Sequence, residues 1–456
     1  MELVSGFNIG LRKPRRRGYL CALLLCLPII FLPANADAAE ESSNRLLPWY
    51  QNLNPQWGGY VKTRAAASWY DDRTLYGMAG SSPYVDGSVD GRLKNQLFFG
   101  DWGQFETHYE VIFFGGDTRR KNQELEQRFP DLDKILFLGG PVNDNRRFFD
   151  LTAVISEDDD SILYHRLDRL ALTLRPSWGV VRAGRQAVTW GNGFLFNPMD
   201  LFNPFAPTDV DRDYKLGDDL LAVQLSLPSD GDAQFLLVPR RDPVSGDVES
   251  DQSSLAGKLH FIRQALEFDI MAARHYEDDI IGFGGSGYLG PAAWRVDATY
   301  TVLDEESPSG DYLSLVVNLD YSWVWGRKNY YGFVEFFFNG LGEDTYAEAL
   351  INPDIVERLA RGELFTLGRT YLSGMVQMEV HPLFNIFLTL INNMADPSGI
   401  IQPRATWDII SDLQLNFGVN ICYGDGDTEY GGFQIPGTPF ISKAPDSVYC
   451  WLTYYF

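Results

Sequence analysis

Charged residues alternate with apolar ones along several short segments, and this spacing is the first feature that suggests chemistry. Residues that alternate with period two face opposite sides of a β-strand. If the apolar set faces lipid, the charged set faces an interior, because Arg or Lys at the middle of a bilayer costs about 2–4 kcal/mol. The predicted inward basic residues are Lys62, Arg64, Arg169, Arg182, Lys258, Arg295, Arg369 and Arg404. The predicted inward acidic residues are Glu106, Glu110, Asp269, Asp297, Asp320, Glu335, Glu379 and Asp408.

These two sets predict a pore lining that is nearly neutral overall, so the net charge of -23 lies mostly in loops such as 157–160 and 209–219. The positive and negative charges of these inward residues are unevenly placed along the chain, since most of the basic residues come early and most of the acidic ones late. One hypothesis is a transverse electric field across a pore, which would orient dipolar solutes. The alternative is that the charges pair across neighbouring strands and brace the wall.

Residues that catalyse reactions or hold cofactors form no recognisable motif. The five histidines are His108, His165, His260, His275 and His381. None lies in a motif with a nucleophile and an orienting acid, although a barrel can assemble such a site from separate strands. The chain also has no haem-attachment or calcium-loop motif. We therefore predict a protein that is not an enzyme and has no cofactor and no metal, with an enzyme kept as an alternative.

The most distinctive block begins Gly-Arg-Gln-Ala-Val-Thr-Trp-Gly-Asn-Gly at Gly184 and continues through two Asn-Pro pairs to Pro204. Asn-Pro pairs favour turns, so the block predicts a strand that runs into a long loop. A loop rich in Phe, Pro and Asp either folds inward to constrict a pore or forms an outer cap, and we favour inward folding. The predicted constriction residues are Trp190, Asn197, Asp200, Asn203, Asp209 and Arg212.

Short segments with period-two patterning predict an all-β protein of eighteen strands, within a range of sixteen to twenty. They are predicted at 58–70, 92–100, 104–115, 161–175, 178–190, 218–228, 233–241, 253–263, 266–277, 281–290, 292–303, 312–323, 329–339, 364–380, 384–393, 400–410, 412–423 and 447–456.

The connections between these strands alternate between tight turns and mostly long loops. Such alternation is typical of a transmembrane antiparallel β-barrel with short periplasmic turns and long extracellular loops. An even number of strands places both ends of the barrel on the short-turn side. Segment 147–155 is assigned to a long outer loop, with an additional strand as the alternative.

The two ends of the chain carry sorting signals. Residues 1–38 combine a basic start, an apolar stretch and a small-residue exit at Ala36-Asp37-Ala38, which indicates a cleaved signal peptide. The mature chain then has a short periplasmic segment at 39–57 and a barrel at 58–456. No later apolar run is long enough for a transmembrane helix. Alternation at Leu452, Tyr454 and Phe456 predicts a closing strand that the barrel assembly machinery recognises, with an ordinary edge strand as the alternative.

The Gly-Arg-Gln…Trp-Gly block at 184–191 resembles a segment of proteobacterial porin-like outer-membrane barrels, broadly like the alginate-export-type barrels. The local match covers roughly residues 165–225, and the family architecture would cover 45–456. The resemblance implies an eighteen-stranded barrel that passes polar or anionic solutes. The balanced lining does not fit a conduit for alginate itself, which would need a strongly basic lumen.

The predicted function is an outer-membrane, porin-like channel that passes small polar or charged solutes by diffusion. Its expected partners are outer-membrane lipid and lipopolysaccharide, the barrel assembly machinery and an unidentified small polar solute. The acidity of the chain argues against nucleic acid as a partner. The main alternative is a structural, adhesive or accessory barrel that does not conduct. A plugged transporter of about 22 strands is excluded because no plug fits before the first strand.

Overall fold

The computed structural model describes residues 53–128, 142–208, 214–228 and 230–456. Within them the strands are β1 Leu53–Trp69, β2 Tyr84–Phe99, β3 Gly103–Gly116, β4 Thr152–Glu157, β5 Ser161–Leu174, β6 Gly179–Gln186, β7 Asp218–Ser226, β8 Asp232–Val238, β9 Ser254–Arg263, β10 Leu266–His275, β11 Asp278–Leu289, β12 Ala292–Val302, β13 Tyr312–Trp325, β14 Lys328–Asn339, β15 Thr370–His381, β16 Phe384–Asn393, β17 Ser398–Ile410, β18 Leu413–Tyr423, β19 Phe433–Gln434, β20 Ile441–Ser442 and β21 Asp446–Tyr455. The helices are α1 Leu75–Ala79, α2 Asp117–Arg128, α3 Tyr346–Ala349 and α4 Pro353–Arg361.

Eighteen of these strands form a closed antiparallel β-barrel, which confirms the predicted fold class and strand count. Each wall strand pairs with the next along the chain, and β21 pairs back onto β1 from Tyr60↔Tyr455 to Trp69↔Asp446. Each of the eighteen wall strands therefore has a hydrogen-bonded neighbour on both sides. The three strands outside this count are β4, which pairs with part of β5, and the small β19–β20 hairpin. Residues 152–155, predicted within a loop, therefore belong to a strand.

The two faces of the wall differ in chemistry as the alternation predicts. On β13, Val317 and Leu319 point outward and are 42% and 46% exposed, whereas Asn318 between them is 2% exposed. A period of two in the sequence thus becomes an apolar outer face and a polar inner face. Among the described residues, no helix is both long and apolar enough to cross a membrane.

The connections divide the barrel into a short-turn end and a long-loop end. Turns such as 264–265 and 326–327 have positive φ at both residues, which is the geometry that suits a two-residue hairpin. The long connections at the other end include 187–217, 340–369 and 424–445. Two connections there are short, at 276–277 and 394–397.

Several strand boundaries differ from the sequence-based ones. β1 begins at Leu53 rather than 58, so residues 53–57 belong to the wall. β2 begins at Tyr84 rather than 92. The predicted start was late because Gly87 and Gly91 interrupt the apolar alternation of the strand. β15 begins at Thr370 rather than 364. The predicted signal peptide lies outside the described residues.

The last residue of the chain completes the seam between β21 and β1. The backbone N–H of Gly59 donates to the Phe456 carbonyl at 2.9 Å, and the Phe456 N–H donates to the Gly59 carbonyl at 3.1 Å. A β-carbon on residue 59 would lie 2.7 Å from Phe456 Cζ and 2.2 Å from the Arg92 carbonyl oxygen. The seam therefore closes tightly only with glycine at this position. Recognition of Phe456 by the assembly machinery stays a prediction.

We expect Gly59→Ala to destabilise the folded barrel, because forced overpacking costs about 1–3 kcal/mol. The fraction of refolded protein that keeps its compact form in SDS before heating measures the effect. Gly91→Ala is the matched control, since its nearest contact would be the Val111 carbonyl oxygen at 3.9 Å. Equal folded fractions in the two variants would contradict the proposed tight seam.

Candidate functional site: the barrel interior and its inserted loop

The described parts of the connection between β6 and β7, residues 187–208 and 214–217, lie inside the barrel, and we call them the inserted loop. Trp190 at its start is 2% exposed, and its indole N–H donates to Gln234 Oε1 at 2.8 Å. The Trp190 ring meets Phe202 edge-on and belongs to a buried cluster that includes Met199 and Met271. These contacts fix the base of the loop against the inner face of β8–β10.

Two carboxylates on the inner wall hold the first limb of the loop. Asp297 accepts hydrogen bonds from the backbone and the side-chain amide of Asn192. Glu335 accepts the backbone N–H groups of Phe194, Leu195 and Phe196 at 2.6, 2.9 and 2.9 Å. Hydrogen bonds to a charged acceptor are stronger than neutral ones, so the three bonds to Glu335 and the two to Asp297 anchor this limb to the wall.

Aromatic rings add to this anchoring. The Phe194 ring stacks on Phe333 with centroids 4.5 Å apart. The Phe196 ring stacks on Phe337 at 4.3 Å with an interplanar angle of 4°, and it also contacts Tyr371. The first limb therefore lies flat against the inner face of β14 and β15.

The second limb returns past other parts of the wall. The Thr208 carbonyl accepts a hydrogen bond from Gln402 on β17. Tyr214 stacks on Tyr60 of β1 at 6.1 Å and accepts a hydrogen bond from Lys94 of β2. With contacts on β8, β12, β14, β17 and β1, the loop reaches widely separated parts of the wall, as the inward-folding hypothesis requires.

An ion pair between Asp200 and Lys215 joins the two limbs. Lys215 also donates to the Val188 carbonyl. Burial raises the pKa of Asp200 to about 6, against the opposing effect of the Lys215 charge. Burial likewise lowers the pKa of Lys215. Burying the two charges costs free energy, and their pairing links the start and the end of the loop.

The predicted constriction residues have different placements. Asn197 donates to the Trp190 carbonyl at 2.9 Å, so it shapes the loop from within. Asn203 has a φ of 51°, which asparagine tolerates better than most residues. Asp209 and Arg212 lie outside the described residues. Whether the loop constricts a pore stays a prediction.

The inner wall of β2, β3 and β5 carries a buried charge network that sequence patterning found only in part. Arg92 donates to Glu110 at 2.5 Å and also to Asp168. Arg166 pairs with Glu110, and Arg169 pairs with Asp168 at 2.6 Å. Glu110 and Arg169 were predicted to face inward.

Arg92, Arg166 and Asp168 were missed for a structural reason. The β3–β5 register shifts between His108 and Tyr109, and the bulge breaks the strict alternation that the prediction assumed. The late start predicted for β2 also placed Arg92 at a strand end rather than in its middle.

Most other predicted lining residues have a partner nearby. Their contacts are Glu106 with His108, Lys258 with Asp269, Arg295 with Asp320, Arg182 with Thr173, Glu379 with Asn329, Asp408 with Gln414, Lys62 with Trp451, and Arg404 with Phe387. Arg64 also has an interaction partner. Arg369 lies just before β15 and donates to the Gly342 carbonyl at 2.6 Å. These contacts fit charges that brace the wall, and they leave the transverse-field hypothesis untested.

Arg185, from the distinctive sequence block, is a structural anchor rather than a lining residue. It is 1% exposed and donates to both oxygens of Asp219 at 2.8 and 2.9 Å. It also donates to Asp144 at 2.8 Å and to the Phe149 carbonyl at 2.7 Å. Although burial raises the pKa of Asp144, the guanidiniums of Arg185 and Arg147 hold it at about 2. Arg185 thus ties segment 142–151 to β6 and β7.

No protein-family model matches the chain, and no protein of curated function matches its sequence. Solved structures do share its fold. OccAB2 of Acinetobacter baumannii has 11% identity and a TM-score of 0.53, over 88% of this chain and 98% of that one. OccAB1 of the same organism has 8% identity and a TM-score of 0.51, over 88% and 96%. A BenF-like porin from Pseudomonas fluorescens Pf-5 has 10% identity and a TM-score of 0.51, over 88% and 98%.

At sequence identities this low, the structural similarity shows a shared porin-like barrel fold and nothing finer. They lend no support to the narrower resemblance to alginate-export-type barrels.

Proposed function

We propose that this protein is an outer-membrane, porin-like channel that passes small polar or charged solutes by diffusion. The observation that carries the proposal is the inserted loop, held by Asp297 and Glu335 against the inner wall of a closed barrel. An apolar outer face suits lipid, and a polar inner face suits water. A loop pinned inside such a barrel narrows the aqueous path and selects solutes by size and charge.

The proposal includes a route to the membrane. Residues 1–38 act as a cleaved signal peptide, and the terminal strand with Leu452, Tyr454 and Phe456 is read by the assembly machinery. Outer-membrane lipid and lipopolysaccharide then surround the apolar face. The outward positions Leu452 and Tyr454 are 40% and 49% exposed, which suits contact with lipid.

The lining is expected to set the ion preference of the channel. Arg64 and Arg182 belong to the basic set on the early strands, so the double variant Arg64→Ala/Arg182→Ala should shift selectivity toward cations. The measurement is the reversal potential of single channels in planar bilayers under a salt gradient. Arg274→Ala is the control, because Arg274 pairs with Asp279 at 3.1 Å and half of its side chain is exposed.

The same recordings test the proposed function. A purified, folded barrel that never conducts would overturn it and favour a structural or adhesive barrel. If the channel conducts but its reversal potential is equal in the wild type and the double variant, the lining role of Arg64 and Arg182 is overturned. The proposed channel function then stands.

A further inference from the structure

A cavity with a volume of about 110 Å³ lies between the inserted loop, the wall strands β10–β14 and the long connection 340–369. Pro204 and Phe205 of the inserted loop form one side, and Phe365 of the connection 340–369 forms another. The cavity sits at the long-loop end of the barrel, where β12 ends, β13 begins and β14 ends. It is therefore separate from the ion-pair network of β2, β3 and β5.

A row of neutral polar side chains lines the wall side of this cavity. Thr299, Ser314 and Asn339 stand directly across from one another on β12, β13 and β14. They are only 4%, 6% and 2% exposed. Among the described residues, the Asn339 amide nitrogen has no hydrogen-bond partner, while its oxygen accepts the Leu341 N–H. A buried donor left unpaired costs roughly 1–3 kcal/mol, so this row is suited to a polar guest.

The charged residues around the cavity compensate one another. Arg358 pairs with Asp278, and Asp200, which also lines the cavity, pairs with Lys215. His275 Nε2 lies 3.2 Å from Glu363 Oε1, and His275 Nδ1 lies 2.9 Å from the Ser254 hydroxyl. A guest therefore meets little net charge, and a neutral molecule is favoured over an ion.

The remaining surface of the cavity is apolar and includes aromatic rings. Phe205 and Phe365 are 38% and 37% exposed, and Phe337 and Leu341 also line the cavity. Aromatic faces opposite a row of hydroxyl and amide groups suit a molecule with C–H groups on one side and hydroxyls on the other. A cavity of about 150 Å³ accommodates benzene, so this one suits a guest of about six non-hydrogen atoms.

We propose that this cavity binds a small neutral polyol of about the size of glycerol. The polyol hydroxyls take the free Asn339 donor and the Thr299 and Ser314 hydroxyls, and its C–H face packs on Phe365 and Phe205. The inference rests on the proposed channel function, since it makes the cavity a docking site at the long-loop entrance for one class of permeating solute. The alternative occupant is ordered water alone.

The experiment is saturation-transfer NMR with glycerol as the probe, on full-length mature protein in a deuterated detergent without sugar groups. We expect saturable transfer to glycerol, reduced at least fivefold in Asn339→Leu. Asn416→Leu is the matched control, because Asn416 is an equally buried inner-wall amide that is hydrogen-bonded to Gln414. If Asn339→Leu fails to fold, Phe365→Ala gives the same test from the loop side.

Single-channel conductance of the same preparations separates the two proposals. Absent or non-saturable transfer in a conducting protein would overturn the polyol site and leave the channel intact, with water as the occupant. Transfer equal in wild type, Asn339→Leu and Phe365→Ala would also overturn it. Saturable, Asn339-dependent transfer in a protein that never conducts would keep the site and overturn the channel.

Discussion

Replacing Glu335 by leucine is expected to raise single-channel conductance several-fold. Leucine removes the acceptor for the N–H groups of Phe194, Leu195 and Phe196. Each buried N–H left without a partner costs roughly 1–3 kcal/mol. Stacking of Phe196 on Phe337, worth about 0.5–1.5 kcal/mol beyond burial, does not offset that loss. We therefore expect the first limb to leave the wall and widen the path.

Deletion of residues 194–208 should reproduce this increase, because it removes the same limb directly. Glu379→Leu is the control, since Glu379 lies near the short-turn end and bonds to Asn329 rather than to the loop. Planar-bilayer recording of all three proteins, with folding checked by SDS resistance, gives the comparison. Unchanged conductance in both the Glu335 variant and the deletion would show that the inserted loop does not constrict the path.

The barrel was predictable from sequence because its rules are local. Alternation along β13 and the turn at 326–327 each follow from a few neighbouring residues. Closure follows from an even strand number and a terminal amphipathic strand. Charges in regular strands, such as Asp297 and Glu335, were also assigned to the inner wall, since parity alone decides that assignment.

The specific contacts of the interior were not predictable, because they join residues far apart in the chain. Glu335 meets the inserted loop across 139–141 positions, and nothing near either residue signals the contact. The bulge in β5 opposite His108 places Arg166 and Asp168 on the inner face instead of the outer face that strict alternation predicts. No clear feature of the sequence marks this bulge. The Gly-Arg-Gln block was recognised as distinctive, but pairing of Arg185 with Asp144 and Asp219 depends on the folded register.

Replacing Arg185 by alanine should destabilise the barrel by about 3–5 kcal/mol at neutral pH, because it leaves buried carboxylates without their partner. Asp144 supplies a pH signature. Its native pKa of about 2 lies below the ordinary value of 3.8. The stabilisation it contributes is therefore complete above about pH 4 and is lost as the pH falls through 2. The difference between wild type and variant should shrink over that window, as measured by thermal unfolding in detergent.

Arg182→Ala is the control for this measurement, because Arg182 lies on the same strand but donates to the neutral Thr173 hydroxyl at 3.2 Å. We expect a cost of about 1 kcal/mol, the usual value for one hydrogen bond, with a much weaker dependence on pH between 2 and 4 than in the Arg185 variant, because Arg182 forms no ion pair with a buried carboxylate and acts on Glu106 only from a distance. Limited proteolysis adds a local readout, since only the Arg185 variant frees segment 142–151 from β6 and β7. Equal stability losses in the two variants would show that Arg185 is one wall residue among many. A large loss of stability confined to the Arg185 variant would show that the arginine of the Gly-Arg-Gln block holds segment 142–151 against β6 and β7, beside the base of the inserted loop.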